Sequence, residues 1–322
     1  MQVSVVVCTH EPDRYTDLRA AADSVLAGTY DDVELVLVSD GSARVTELLK
    51  RDYGDHPDAR IASLDENQGL LVARNRGAAV ATGDLIAFID DDAIAAPDWL
   101  DRLVDAHEAR DRRATGGRMI PRWIADEPSF LPEEFYFLIG AAHRGFGPDG
   151  DREREGEIRN GMGSNLAVRA ETFDALGGFE PTVGGREGDK QLQGGETELC
   201  IRLAAEFDEG VWYVPDAVVE HKIYPYRTEP GWLLKRAFWQ GVSKRGMARF
   251  VPESSGDETA FLGRLVGAYL PDRVRGLLAD PTSARLQQLV MLLALTLVTG
   301  LGYLYGFVHW RTTGSGSDSG DN

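Results

Sequence analysis

Short apolar runs alternate with stretches of helical spacing through the first ninety residues, and no other feature limits the fold so strongly. Residues 3–9, 33–38, 60–64 and 85–89 read as strands, while 15–26, 44–53 and 70–81 carry the helical period. Such an alternation predicts an α/β fold, a mostly parallel sheet flanked by helices on both faces. Ligands of these sheets bind beyond the carboxyl ends of the strands. The chemistry is therefore expected just after Thr9, Val38, Leu64 and Ile89.

From about 115 to 215 the pattern is less regular and no repeat is evident. Loops rich in Gly and charge occupy 145–160 and 184–195, with strands expected at 164–169, 211–215 and 218–220. Helices are expected at 171–176, closed by the tight turn Gly177-Gly178-Phe179, and near 197–207. This half is expected to complete the same domain and carry its substrate loops.

The first strand leads into Thr9-His10-Glu11-Pro12, without a Gly-x-Gly-x-x-Gly turn, which disfavours a dinucleotide-binding dehydrogenase. After the second comes Ser39-Asp40-Gly41-Ser42. An Asp there either accepts a hydrogen bond from a base N–H or ribose hydroxyl, or simply builds a turn. The fourth strand ends in Asp90-Asp91-Asp92. Three carboxylates at the end of a buried strand repel one another unless a cation neutralises them. Mg2+ or Mn2+, held by one or two carboxylates and completed by substrate phosphates, fits that arrangement.

Composition narrows the partners. With 34 basic against 52 acidic residues the chain carries a net charge of −18, which disfavours a nucleic-acid binder. A phosphate-bearing ligand then needs a metal ion or a locally basic patch. Five lysines against 29 arginines give an acidic, Lys-poor chain that looks like a haloarchaeal protein. A GC-rich genome explains the arginines but less readily the charge. Cys8 and Cys200 sit in apolar contexts, excluding a disulfide framework and pointing to buried reduced thiols in a cytosolic domain.

The basic patch lies at 232–250, where Lys235, Arg236, Lys244, Arg245 and Arg249 occur without an acid. Trp232, Leu233, Leu234, Phe238 and Trp239 supply apolar anchors at helical spacing. The stretch suits the headgroup layer of an anionic membrane or a lipid phosphate. A helix docked on the catalytic domain would explain the aromatics but not the charge. Residues 286–308 are 23 in a row without a charge, about enough to cross a ~30 Å hydrocarbon core. Two glutamines at its start and the Gly300/Gly302 pair also fit a buried amphipathic helix. Arg264, Arg273, Arg275 and Arg285 precede it and only Arg311 follows, so a crossing would leave the bulk of the chain cytoplasmic. The N-terminus lacks a basic n-region and reads as the first strand, not a signal peptide.

In order and spacing, the motifs resemble glycosyltransferase family 2 with its GT-A fold. The matching pieces begin with residues 3–9, Val36-Leu37-Val38-Ser39-Asp40-Gly41-Ser42, Asn67-Gln68-Gly69, Ala73-Arg74-Asn75-Arg76-Gly77 and Asp90-Asp91-Asp92. They continue with Asn165-Leu166-Ala167-Val168-Arg169, Gly177-Gly178-Phe179-Glu180 and Gly195-Glu196-Thr197-Glu198-Leu199-Cys200-Ile201-Arg202. The resemblance covers about residues 1–250. It implies transfer of a sugar from a nucleotide-diphosphate donor, with inversion at the anomeric carbon.

Carried over by position, it implies that Thr9, Glu11, Asp40, Arg74, Asp90 and Asp91 bind the nucleotide sugar. Asp40 would meet the uracil or ribose and Arg74 the base or diphosphate. Asp92 and His221 would hold a divalent metal, Mg2+ or Mn2+, with Arg227 near the His. Asn165, Gly178 and Glu198 fall on the acceptor side. The family's base is the Asp of a Glu-Asp pair opening the helix that ends in Leu-x-x-Arg. Counting back from Arg202, Glu196 holds that position and Gly195 stands where the Glu would be. The base is Glu196 or Glu198, with Glu196 preferred because two positions along a helix is a different face. A glutamate with a pKa of about 4.3 is ionised at pH 7 and can deprotonate a hydroxyl. An acid here also suits the helix dipole without any catalytic role.

Processive synthases of the family carry Gln-x-x-Arg-Trp where this chain has Gln240-Gly241-Val242-Ser243-Lys244, which implies single-sugar transfer. With the basic patch and the uncharged segment, the chain resembles haloarchaeal membrane-anchored glycosyltransferases of the dolichyl-phosphate-linked protein glycosylation pathway. The implied acceptor is a polyprenyl- or dolichyl-phosphate-linked glycan and the implied sugar a hexose or hexuronic acid. The alternatives are a dolichyl-phosphate monosaccharide synthase, a polysaccharide glycosyltransferase and an inactive nucleotide-sugar-binding subunit. The expected organisation is a catalytic domain over 1–225, divided near 115 into donor and acceptor sides. A basic membrane-associating region follows at 226–285, then a transmembrane helix at 286–308 and a disordered tail at 309–322.

Overall fold

The chain, here as a computed structural model, is described over residues 1–183, 185–187, 190–250 and 256–313. Of the disordered tail expected at 309–322, residues 309–313 are helical instead, continuing the preceding helix, and the rest, like the side chain of Arg249, lies outside the described residues. Two compact units emerge. The first comprises residues 1–122, 140–185 and 195–222, and the second 123–139, 186–194 and 223–322.

The first unit begins as its alternation predicts. β1 (Val3–Thr9), α1 (Tyr15–Leu26), β2 (Val33–Asp40), α2 (Ala43–Tyr53), β3 (Ala59–Leu64), α3 (Leu70–Ala78) and β4 (Leu85–Phe88) follow in sequence. β1 pairs in parallel with β2 and β4, and β2 with β3. Both faces of β1 are covered, so the strand is apolar apart from Ser4 and Thr9. Val3, Val5 and Val7 point into the core shared with α1 and α4 (Trp99–Arg110), while Val6 and Cys8 point into the core on the other side. Gly77 of α3 lies so close to β1 that a Cβ would stand 2.4 Å from Val6 Cγ1.

The sheet as a whole is mixed. Its order is β3-β2-β1-β4-β8-β6-β11-β5, where β5 is Ala93–Ala95, β6 Ala114–Trp123, β8 Leu166–Arg169 and β11 Val211–Ile223. β7 (Gly156–Ile158) also pairs with β11. β8 runs antiparallel to both β4 and β6, and β5 antiparallel to β11. The two strands expected at 211–215 and 218–220 are one. Pro215 falls between the stretch of β11 paired to β7 and the stretch paired to β5. α3 stops three residues earlier than its pattern suggests because the chain turns there onto the sheet. The amides of Thr82 and Gly83 donate to Glu34 Oε2 at 2.7 Å and Ser4 Oγ at 2.8 Å. α5 (Ala170–Ala175) and α6 (Gly195–Phe207) complete the unit.

The second unit is helical: α7 (Pro230–Phe250), α8 (Gly256–Arg264), α9 (Leu270–Ala279) and α10 (Ser283–Thr313). A separate two-stranded sheet pairs β9 (Gly185–Glu187) with β10 (Lys190–Leu192). The buried carboxylate of Glu134 accepts from Arg273 of α9 at 2.7 Å. α10 contains the expected uncharged segment, and Ser283–Trp310 is long and apolar enough to cross a membrane.

Candidate functional site

The carboxyl ends of β1, β2 and β4 converge in the first unit, and the carboxylate triplet stands at their centre. The Asp90 amide donates to Ser164 Oγ at 2.8 Å, fixing where the triplet leaves the sheet. Thr9 Oγ1 donates to Asp91 Oδ2 at 2.6 Å. Arg14 places one nitrogen 2.9 Å from Asp91 Oδ1 and 2.8 Å from Asp92 Oδ2. Burial pushes the Asp91 carboxyl up to about 7, and the like charges of Asp92 and Asp90 push the same way, against Arg14 and Thr9. Asp92 is buried, and its Oδ1 lies 3.1 Å from His221 Nε2.

His221 arrives from far along the chain by strand pairing. It stands opposite Ala93 in the β5–β11 ladder, and the next amide, Lys222, donates to the Asp92 carbonyl at 2.8 Å. Gly140, at φ +81°, packs against the imidazole so closely that a Cβ would meet its Cε1 at 2.6 Å. Asp90, Asp92 and His221 each present a ligand atom, all within 4.8 Å of one another. Two carboxylates and an imidazole at this spacing fit a divalent cation.

Arg74 joins the triplet to the helix α6. Its Nη2 donates to Asp90 Oδ1 at 2.7 Å and its Nη1 to Glu196 Oε1 at 2.6 Å. The guanidinium also sits over the rings of Phe88 and Phe179, at 5.9 and 5.6 Å from their centroids. Burial opposes its charge, but Asp90 and Glu196 more than offset that and raise its pKa. Cys8 lies beneath, its thiol pushed up by burial, which keeps it protonated and inert.

Two glycines shape the space around Glu196. A Cβ on Gly163 would stand 2.1 Å from Glu196 Oε1, so the carboxylate occupies the place of a side chain there. A Cβ on Gly195 would stand 2.6 Å from Leu71 Cδ1 of α3. The position where the resemblance expects a Glu is thus closed by Leu71.

The other expected residues divide. Asp40 is buried, and both its oxygens accept from loop amides, Gln68 at 2.8 Å and Gly69 at 2.9 Å. It sets the N-terminus of α3 at the mouth of the site. Glu11 is exposed beyond β1, 3.2 Å from His10 Nε2. Glu198 grips Arg202 through two hydrogen bonds of 2.5 and 2.6 Å, and Arg202 Nη2 donates to the Gly178 carbonyl at 2.8 Å. Glu198 therefore braces the Gly177-Gly178 turn, where both glycines have positive φ. The backbone of Phe179 is held in turn by the side chain of Asn75, with both hydrogen bonds at 2.8 Å.

Asn165 does not belong to an acceptor surface. It is fully buried, accepting from Trp99 Nε1 at 2.8 Å and the Gly117 amide at 3.1 Å, and donating to the carbonyls of Ala217 and Arg118. Every polar atom of the amide is spent joining β6, β8, α4 and β11. Arg227 belongs to the second unit, with its Nε 3.1 Å from the Tyr226 hydroxyl. Arg14 and Ser164 hold the carboxylate triplet and are contacts that sequence reasoning missed. Ser164 directly precedes a motif residue, a signal that was open to use, whereas nothing in its surroundings marks Arg14.

Comparison with known proteins accords with this geometry. Residues 4–177 match the family described as Glycosyl transferase family 2. Over 309 residues the chain is 44% identical to the glucosyl-dolichyl phosphate glucuronosyltransferase of Haloferax volcanii, covering 96% of this chain and 97% of that protein. The mannosyltransferase PcManGT of Pyrobaculum calidifontis, solved with GDP-Man and Mn2+, superposes with a TM-score of 0.61 at 20% identity, over 94% of this chain and 87% of that one. TarS of S. aureus in complex with UDP gives 0.53 at 12% identity, over 97% and 92% of the two chains.

Proposed function

The chain belongs to glycosyl transferase family 2, and on that premise we propose that it moves one glucuronic acid from a nucleoside diphosphate sugar, UDP-linked, to a glucosyl-dolichyl phosphate acceptor. The observation that carries this reading is the end-to-end similarity to the Haloferax glucuronosyltransferase. The product serves as a lipid-linked glycan for protein glycosylation.

In this mechanism Glu196 takes the proton of the acceptor hydroxyl as that oxygen attacks the anomeric carbon. The new bond forms on the face opposite the diphosphate, whose bond to the same carbon breaks, so the configuration inverts. Arg74 fixes the Glu196 carboxylate in place through the 2.6 Å hydrogen bond. Glu198 acts only through Arg202, by holding the Gly178 turn at the acceptor side. Asp40 and Thr9 line the donor side, with Asp91 held by Thr9 and Arg14. Mg2+ or Mn2+ held by Asp90, Asp92 and His221 would neutralise the diphosphate and ease its departure.

Membrane attachment accompanies a lipid-borne acceptor, with the catalytic unit on the cytoplasmic side and α10 either crossing the bilayer once or lying on it. Incubation of the full chain with UDP-glucuronate, glucosyl-dolichyl phosphate and Mn2+ should yield a lipid heavier by one hexuronic acid. Transfer to unmodified dolichyl phosphate instead, or no transfer from any nucleotide sugar, would overturn the proposal.

A further inference from the structure

α10 presents two unlike faces. Leu292, Leu295, Gly302 and Gly306 are buried on one. Leu286, Val290, Leu293, Leu297, Leu301, Leu304 and Val308 form the other, three or four residues apart, and are about half to two-thirds exposed: 57% at Val290, 64% at Leu297, 62% at Val308. The exposed stripe is apolar over its whole length.

The buried face is occupied by α7. A Cβ on Gly302 would stand 2.0 Å from the Phe238 carbonyl oxygen, and one on Gly241 2.0 Å from that of Thr299. Trp310 Nε1 donates to the Val242 carbonyl at 3.0 Å, and the Arg245 guanidinium lies 3.8 Å from the centre of the Phe307 ring. α7 is packed on its own account, with Leu233, Ala237 and Val242 buried and Ser243 Oγ accepting from the Gln193 amide at 2.9 Å. Nearer its start, α10 is tied down by Gln288, which donates to the Ser129 carbonyl at 2.9 Å.

A crossing helix needs apolar surroundings through its middle turns. Lys235 and Arg236 stand within a turn of Phe238, whose carbonyl packs on Gly302, so a crossing by α10 would carry these two cations to the depth of the hydrocarbon, while Arg245 lies level with Gly306 and Phe307 near the end of the segment. Charges at that depth are strongly disfavoured. Laid flat, the same pair puts the stripe among acyl chains and leaves the cations at the level of anionic headgroups, which they complement. Exposed Val266 and Leu278 add to the apolar surface.

We infer that α10 lies in the plane of an anionic membrane, with the stripe from Leu286 to Val308 in the acyl layer and the opposite face on α7, instead of crossing the bilayer. This deepens the reading of a lipid-borne acceptor and rests on it, since an in-plane anchor holds the protein on the membrane surface where a polyprenyl phosphate presents its sugar. The test is the sidedness of the full-length protein bearing an epitope at each end, probed with protease in sealed inside-out vesicles. Both epitopes should be cut from the cytoplasmic face; a C-terminal epitope protected inside the vesicle overturns the inference.

A second measurement uses the doubly substituted protein, Leu297→Lys with Leu301→Lys, on phosphatidylcholine–phosphatidylglycerol vesicles. Sedimentation should show at least tenfold less protein bound, with an unchanged thermal midpoint. Undiminished binding, or a lipid-free dimer that these substitutions break, refutes the in-plane contact. Neither readout involves sugar transfer, so failure of the anchor and failure of the proposed reaction remain distinguishable.

Discussion

Glu196→Gln separates the role of Glu196 as a base from its role as a partner of Arg74. The amide oxygen of Gln can still accept from Arg74 Nη1, now at 2.6 Å from the carboxylate, so the geometry should persist. What is lost is one of two negative charges on a buried guanidinium; Asp90 remains at 2.7 Å. Hydrogen bonds involving a charged acceptor contribute about 1 kcal/mol more than neutral ones, so the expected loss of stability is about 1 kcal/mol, or about 2–4 °C. Removing a general base lowers the rate by about 10²–10⁴-fold, or roughly 3–5 kcal/mol of barrier. The catalytic effect should therefore exceed the structural one severalfold. The assay is the rate of sugar transfer at saturating donor and acceptor, with the thermal midpoint and the donor Kd measured on the same preparation. A rate loss below tenfold removes Glu196 as the base. A loss that appears wholly in the donor Kd makes it a binding group instead.

The remaining predictions concern the metal cluster and the core. Asp92→Asn and His221→Gln should each weaken Mn2+ binding, read from the electron spin resonance of free Mn2+, by more than tenfold, whereas Asp91→Asn should weaken it less because Asp91 is not among the three residues whose ligand atoms converge. Burial lowers the pKa of His107 to about 4, with Arg169 adding to the effect, below the ordinary value of about 6.5. The unfolded chain then binds the extra proton between those pH values, so stability should fall by roughly 2–3 kcal/mol as pH drops from 6.5 to 4. His107→Gln should flatten that part of the profile of thermal midpoint against pH, and an unchanged slope would show that other groups set it.

The parallel half of the sheet was legible because β1, β2 and β4 are covered on both faces, and continuous apolar runs between turn residues have few other uses. The carboxylate triplet was legible for a related reason: like charges at the end of a buried strand demand a counterion. Here part of the answer is Arg14, which no local pattern announces, since it reaches the triplet only once β1 and β4 lie side by side. His221 depends on the pairing of β11 with β5, separated from it by more than a hundred residues, so only a family resemblance could point to it. Asn165 shows the converse limit. A polar residue within a motif can face a ligand or a set of backbone carbonyls, and sequence does not distinguish the two until Trp99, Gly117 and Ala217 have converged on it.

The departure from the Glu-Asp pair also acquires a physical account, and with it a test. A glutamate in place of an aspartate is longer by one methylene, and its carboxylate needs space further from the helix. Gly163 provides that space, since any Cβ there would overlap Glu196 Oε1. Gly163→Ala alone should push the carboxylate off Arg74 and lower transfer at least tenfold. Glu196→Asp alone withdraws the carboxylate from Arg74 and should also lower it, because the hydrogen bond at 2.6 Å cannot be kept by a shorter side chain without movement of α6. Combined, the two changes should be less damaging than the product of their separate effects, because the shorter acid no longer competes with the alanine methyl for the same volume. Coupling between residues in contact amounts to about 0.5–3 kcal/mol, well within reach of a rate measurement. Strict additivity in the double-mutant cycle would mean that Gly163 does not make room for Glu196, and that the glutamate is accommodated by some other feature of α6.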